Sequence, residues 1–120
     1  MEPICVLKDI YKALYNFEKD FAEQNGITIN EGMVLCCLKD GKPKAANQVC
    51  DFVGLSNSRV SRIINTVEAK GYISREMGVE DKRQMIFKLT DLGKMKVEEM
   101  LSKGMDFSEL VAQFSKLTEK

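Results

Sequence analysis

The sequence contains no histidine. That absence removes the commonest zinc and transition-metal ligand, the usual general base, and every histidine-dependent nucleophilic dyad or triad. Catalysis is therefore disfavoured, and no metal or cofactor is expected. The four cysteines, Cys5, Cys36, Cys37 and Cys50, form no C-x-x-C pair, and adjacent Cys36 and Cys37 fit a reducing compartment better than a disulfide scaffold. No apolar run approaches the roughly 20 residues needed to span a bilayer. The segment MEPICVLKDIYKALY carries acids and lacks the basic start of a signal peptide. The expectation is a cytoplasmic protein with no membrane partner. Internal repeats and low-complexity segments are lacking too.

What is present is the size and make-up of one ordinary globular domain: 120 residues, 44% hydrophobic and 30% charged. The formal net charge is zero, yet it is unevenly spread. Residues 1–55 hold 6 basic and 8 acidic side chains, residues 56–94 hold 8 and 5, and residues 95–120 hold 4 and 5. The basic excess falls on the middle segment, where a nucleic-acid partner would be sought.

Hydrophobic periodicity divides the chain into elements. Leu7, Ile10, Leu14, Phe17 and Phe21 step by three and four, so residues 3–24 read as an amphipathic helix ended by Gly26. Thr28 and Glu31 have capping-box spacing for a helix over 31–39, with Met33, Val34, Cys37 and Leu38 on one side. A turn at 40–43 leads to a short helix over 44–53 with Ala45, Val49 and Phe52 inward. Ser56 is a good N-cap for a helix over 57–70, whose Val60, Ile63, Ile64 and Val67 form one buried face, and Gly71 closes it. The period then changes to two. Ile73, Arg75 and Met77, then Met85, Phe87 and Leu89, flank a polar loop and predict a β-hairpin. Thr90 or Asp91 caps a helix over 91–103, and Phe107, Leu110, Val111, Phe114 and Leu117 mark a last one.

Helix, turn, helix and hairpin in that order predict a mainly α (α+β) fold, a winged helix-turn-helix. The exposed side of the second helix shows Ser58, Arg59, Ser61, Arg62, Asn65 and Thr66, with no acid until Glu68. Short hydroxyls at a helix start allow close approach to phosphates. Arg62 can fork onto guanine and Asn65 can pair with adenine.

The stretch LSNSRVSRIINTVEAKGYISR followed by EDKRQMIFKLTDLGK resembles the recognition helix, wing and LT-x-x-G close of MarR-family transcriptional regulators. The resemblance runs from about Thr28 to Lys94. It implies one domain over 1–120, with a winged helix-turn-helix at about 28–94 and dimerisation helices at 1–25 and 95–120. It also implies a homodimer on the double-stranded DNA of a pseudo-palindromic operator. Residues matching Ser58, Ser61 and Arg62 face the major groove in that family, and the arginine matching Arg83 enters the minor groove, oriented by the aspartate matching Asp81. Ser56, Arg59, Asn65, Arg75 and Lys82 complete the expected DNA-facing set. Lys82 stands where the family often has arginine. Relatives of this kind release DNA on binding a small lipophilic or phenolic effector, for which Phe17, Phe21, Met33, Met95 and Met100 are the candidate lining. Cys5, within a helix or so of Tyr11 and Tyr15, is the candidate oxidation sensor. Two competing readings remain: a winged helix that binds protein rather than DNA, and a thiol-dependent enzyme. The near acid-free helix face together with Arg62 and Arg83 argues against the first, and the missing histidine against the second.

Overall fold

The computed structural model describes residues 2–78 and 80–118. Its elements follow the change of period in the sequence. Helices α1 (Pro3–Asn25) and α2 (Ile29–Cys37) come first, then a two-residue strand β1 (Lys44–Ala45) and helices α3 (Ala46–Val53) and α4 (Asn57–Ala69). The hairpin β2 (Ile73–Met77) and β3 (Met85–Leu89) follows, then helices α5 (Asp91–Ser102) and α6 (Ser108–Thr118). This is the expected winged helix-turn-helix, mostly helical with one small antiparallel sheet in the order β1-β3-β2. Two compact units can be distinguished: Ile29–Ser102, and the segments up to Thr28 and from Lys103 on. Among the described residues, no helix is long and apolar enough to cross a membrane.

In the winged unit the core is built from Val34, Leu35, Val49, Val60, Ile64 and Val67 on three helices and Leu38 just past α2, with Ile73, Phe87 and Leu89 from the hairpin. Strand β1 replaces the first turn of the predicted 44–53 helix. Lys44 pairs with Phe87 and Ala45 with Ile86, and two residues are too few to show a period. Helix α3 then starts at Ala46, where Gln48 Oε1 accepts the Ala45 N–H at 2.8 Å. Asp40 shapes the preceding turn: its carboxylate accepts from Lys44 Nζ and from the Lys42 N–H. Those bonds, the lysine side chain's first, hold its carboxyl below the usual aspartate value. Two residues expected inward are exposed, Phe52 and Met33, while Leu35 is fully buried. Helix α2 is covered on more of its circumference than one stripe, so a single-face reading of it fails.

In the terminal unit, Pro3 opens α1 and Gly26, at φ 72°, ends it by donating to Ala22 O. Asp106 caps α6, accepting from the Ser108 N–H and hydroxyl. Those two bonds, the hydroxyl's first, lower the Asp106 carboxyl below its ordinary value. Phe17 and Phe107 stack with ring centroids 4.8 Å apart. Val6, Ile10 and Ala13 are buried on α1; of the predicted Leu7-to-Phe21 stripe Ile10 is buried, Phe17 and Phe21 are half-buried, and Leu7 and Leu14 stand exposed. On α6 no residue is fully buried, and Val111, Phe114 and Leu117 face solvent.

Candidate nucleic-acid interface

Helix α4 carries two stripes with the same spacing. Val60, Ile63, Ile64 and Val67 are buried or half-buried; Ser58, Ser61, Arg62 and Asn65 are exposed. Each runs i, i+3, i+4, i+7, and they start two residues apart, which is about 200° around the helix axis. One stripe is therefore pinned to the core, and the other is held directly away from it. Ser56 starts the helix, its Oγ accepting the Arg59 N–H at 3.3 Å. At the other end the Gly71 N–H donates to Glu68 O and the Tyr72 N–H to Val67 O, with Gly71 at φ 85°. This is a Schellman close, and it turns the chain straight into β2. Lys70, the last residue before that turn, donates from Nζ to Glu31 Oε2 at 2.9 Å, and Glu31 is almost fully buried on α2. Arg59 and Arg62 are exposed, and no ion pair among the described residues engages them.

The hairpin pairs Ile73 with Leu89 through to Met77 with Met85. Beyond it the loop tightens: the Gly78 N–H donates to Gln84 O at 2.7 Å and the Gln84 N–H to Asp81 O at 3.0 Å. A Cβ at Gly78 would sit 2.6 Å from Asp81 O, so the loop has room only for glycine. At the tip, Asp81 Oδ1 accepts from the Arg83 N–H at 3.0 Å and from Nε at 3.4 Å. The Arg83 side chain is nevertheless 94% exposed. The carboxylate thus aims a guanidinium whose far edge stays in water. Lys82 is exposed beside it, and the loop residue Val79 lies outside the described residues.

The LT-x-x-G close has a physical explanation. Thr90 Oγ1 accepts the Gly93 N–H at 3.0 Å, capping α5, and donates to Gly71 O at 2.6 Å. Gly93 packs against the Tyr72 carbonyl so closely that a Cβ there would lie 2.0 Å from the oxygen. The end of α4, both ends of the hairpin and the start of α5 are therefore joined at one point.

Arg75 projects from β2 and is engaged within the protein, by Asn65 and Glu68 of α4. Phe17 and Phe21 are half-buried in the terminal unit, whereas Met33, Met95 and Met100 belong to the winged unit, with Met33 and Met95 exposed. Cys5 is exposed, and its Sγ lies 3.8 Å from Glu2 Oε2, a carboxylate where an activated thiol has a cation. Burial pushes the Cys37 thiol above its ordinary value. Sequence reasoning missed the grip of Glu68 on Arg75, Gly78 and the Glu31–Lys70 pair. Only Glu68 left a signal, as the sole acid on its helix.

The family model described as "Transcriptional regulator SarA/Rot" matches residues 16–100. The HTH-type transcriptional regulator YwoH of Bacillus subtilis is 31% identical over 93 residues, which are 77% of this chain and 67% of YwoH. Reduced AbfR bound to DNA superposes with a TM-score of 0.69 at 27% identity, covering 93% of this chain and 83% of that one. A mutant MarR from E. coli complexed with operator DNA gives 0.74 at 19% identity, covering 96% and 92%. The chain belongs to the SarA/Rot family of transcriptional regulators and has the MarR-type winged helix-turn-helix fold.

Proposed function

We propose that the protein binds double-stranded DNA as a homodimer and acts as an effector-responsive repressor, laying α4 in the major groove and the Arg83 wing tip in the adjacent minor groove. The observation that carries this is the exposed stripe of Ser58, Ser61, Arg62 and Asn65, free of acids and opposite the core stripe. A surface kept only for solubility mixes both signs of charge. Ser56, Arg59, Lys82 and the Asp81-aimed Arg83 extend the contact to backbone and minor groove. AbfR and MarR, each solved on DNA, support the same reading. On this reading the protein works in the cytoplasm.

Dimerisation is supported by the exposed apolar positions Ile4, Leu7, Tyr11 and Leu14 on α1, spaced three, four and three apart, and by Val111, Phe114 and Leu117 on α6. A contiguous apolar face of this kind marks an interaction surface, and repetition near 3.5 residues suits helix against helix. Two such protomers would place two copies of α4 on a pseudo-palindromic site. Effector release is the finer part of the proposal, with Phe17 and Phe21 in the terminal unit, or Met33, Met95 and Met100 in the winged unit, as candidate contacts, and Cys5 as the candidate oxidation sensor.

The test is selection of bound sequences from a random DNA pool, followed by gel shifts with Arg62→Ala. A palindromic motif is expected, and Arg62→Ala should weaken binding by about 1–3 kcal/mol and relax preference at one base pair per half-site. Absence of any enriched sequence would overturn the reading in favour of a protein-binding winged helix. Phenolic compounds, added to the same gel shifts, are expected to release the DNA.

A further inference from the structure

Arg75 makes a cluster that DNA contact alone does not account for. It stands opposite Phe87 in the hairpin register, and its guanidinium carbon lies 5.1 Å from the centre of that buried ring. Nε donates to Glu68 Oε2 at 3.3 Å and Nη2 to Glu68 Oε1 at 3.1 Å, a two-pronged grip that fixes the guanidinium plane. The same Nη2 donates to Asn65 Oδ1 at 2.9 Å. Both carboxylate and guanidinium are about one-third exposed, and such a pair contributes little to stability. Its effect lies in orientation.

We propose that Arg75 is a positioning residue for base readout, fixing the Asn65 amide so that α4 offers a donor and not an acceptor there, which selects guanine. The inference rests on the DNA-binding reading above. An asparagine amide has two orientations, and free in water it uses either. Arginine has donors only, so the amide can face Arg75 only through its oxygen. The Nδ2 group is then on the edge turned away from Arg75, and it has no hydrogen-bond partner among the described residues. Adenine recognition by asparagine uses the amide oxygen on N6–H together with Nδ2 on N7. With the oxygen turned toward Arg75 and one of its two lone pairs taken there, the edge left for DNA carries the Nδ2 donors, and its best complement is an edge with two acceptors side by side. Guanine N7 and O6 provide that edge. The adenine pairing expected from the residue type alone is thereby replaced. The arrangement also explains Glu68, the acid on an otherwise acid-free helix: it neutralises Arg75 and keeps it off the phosphates.

The test is selection from a random DNA pool with the full chain, run for wild type, Arg75→Gln, Asn65→Ala, Asn65→Asp and the Arg75→Gln/Asn65→Ala double variant. Wild type is expected to favour guanine at one position per half-site, by roughly tenfold. Arg75→Gln and Asn65→Ala should each flatten that position to within about twofold, leaving the Arg62-dependent position intact, and the double variant should flatten it no further. Asn65→Asp, which presents only acceptors, should move the preference to cytosine. Asn65 is exposed, so its variants report even where Arg75→Gln perturbs folding. A preference retained at every position in Arg75→Gln, an adenine at the Asn65-dependent position in wild type, or guanine kept by Asn65→Asp would overturn the proposal while DNA binding stands. A wild type that enriches nothing would overturn DNA binding itself.

Discussion

Replacing Gly93 by alanine sets two known effects against each other. Gly93 lies inside α5, where alanine is the better helix former by about 1 kcal/mol, so propensity alone predicts stabilisation. The new methyl group, however, would lie 2.0 Å from Tyr72 O, 2.9 Å from Tyr72 C and 3.1 Å from Leu89 Cδ2. Ordinary contact begins near 3.4 Å, so the carbonyl and the helix must separate by about 1.4 Å. The obstacle is backbone, which no rotamer change relieves. Tyr72 O also accepts the Thr90 N–H at 3.0 Å, and the separation strains that bond, worth about 1 kcal/mol. Overpacking of this kind costs about 3 kcal/mol or somewhat more, leaving a net loss of about 2–4 kcal/mol. At roughly 4 °C per kcal/mol for a chain of this size, Tm should fall by about 8–16 °C. Differential scanning calorimetry measures it directly. Gly104→Ala, with nothing within 4 Å of its Cβ position, is the control and should be neutral or slightly stabilising. A Gly93→Ala protein melting at or above wild type would refute the close-approach argument.

Arg83→Ala should weaken binding most on operators with A·T-rich flanks, whereas Lys82→Ala should weaken all sequences alike and lower the salt slope by about 1; gel shifts across flanks and salt concentrations separate them. Val111 and Phe114, both exposed on α6, can be changed to glutamate without burying charge in the protomer. Sedimentation should then report a monomer with unchanged helical circular dichroism, and an intact dimer would remove this face from the interface. At pH 8, alkylation should label exposed Cys5 within minutes and leave Cys37 unreacted in the native state, read by mass spectrometry. Burial raises the Cys37 thiol's pKa from 9.0. Its contribution to stability is therefore fully present below about 9 and is lost as pH rises through the native-state value, since only the unfolded chain ionises readily. Denaturant titrations at pH 8 and 10 should show that loss shrink in Cys37→Ala.

Elements with local, periodic signals were legible in the sequence. Helix α4 has its cap at Ser56, its core face at Val60–Val67 and its glycine close at Gly71, and all lie within one stretch of chain. The hairpin was equally legible, because alternation over five residues is a strong pattern. Strand β1 was not, since its two residues acquire their identity from β3, about forty positions away. Phe52 and Met33 fit a helical stripe yet face outward, because periodicity gives direction only relative to neighbours that another segment supplies. Of the candidate interface, Ser58, Ser61 and Arg62 stand as the helical spacing suggests and Asp81 grips Arg83. The engagement of Arg75 with Asn65 and Glu68 depends on how the strand leaves the helix, which composition does not encode.

The Glu31–Lys70 ion pair has a bearing on how this protein would answer ionic strength. Lys70 sits about 18 Å along the helix from Ser58, so it acts as the tail of a lever whose head would read bases. Slack at the tail would become slack at the head, about a pivot at Ile63 and Ile64. Glu31 is buried while the Lys70 side chain is 38% exposed, so dissolved ions reach this part-buried tether less than they reach fully exposed phosphate contacts. Raising salt should therefore strip contacts one by one from a helix whose aim does not change, and the logarithm of affinity should fall along a straight line against the logarithm of salt concentration.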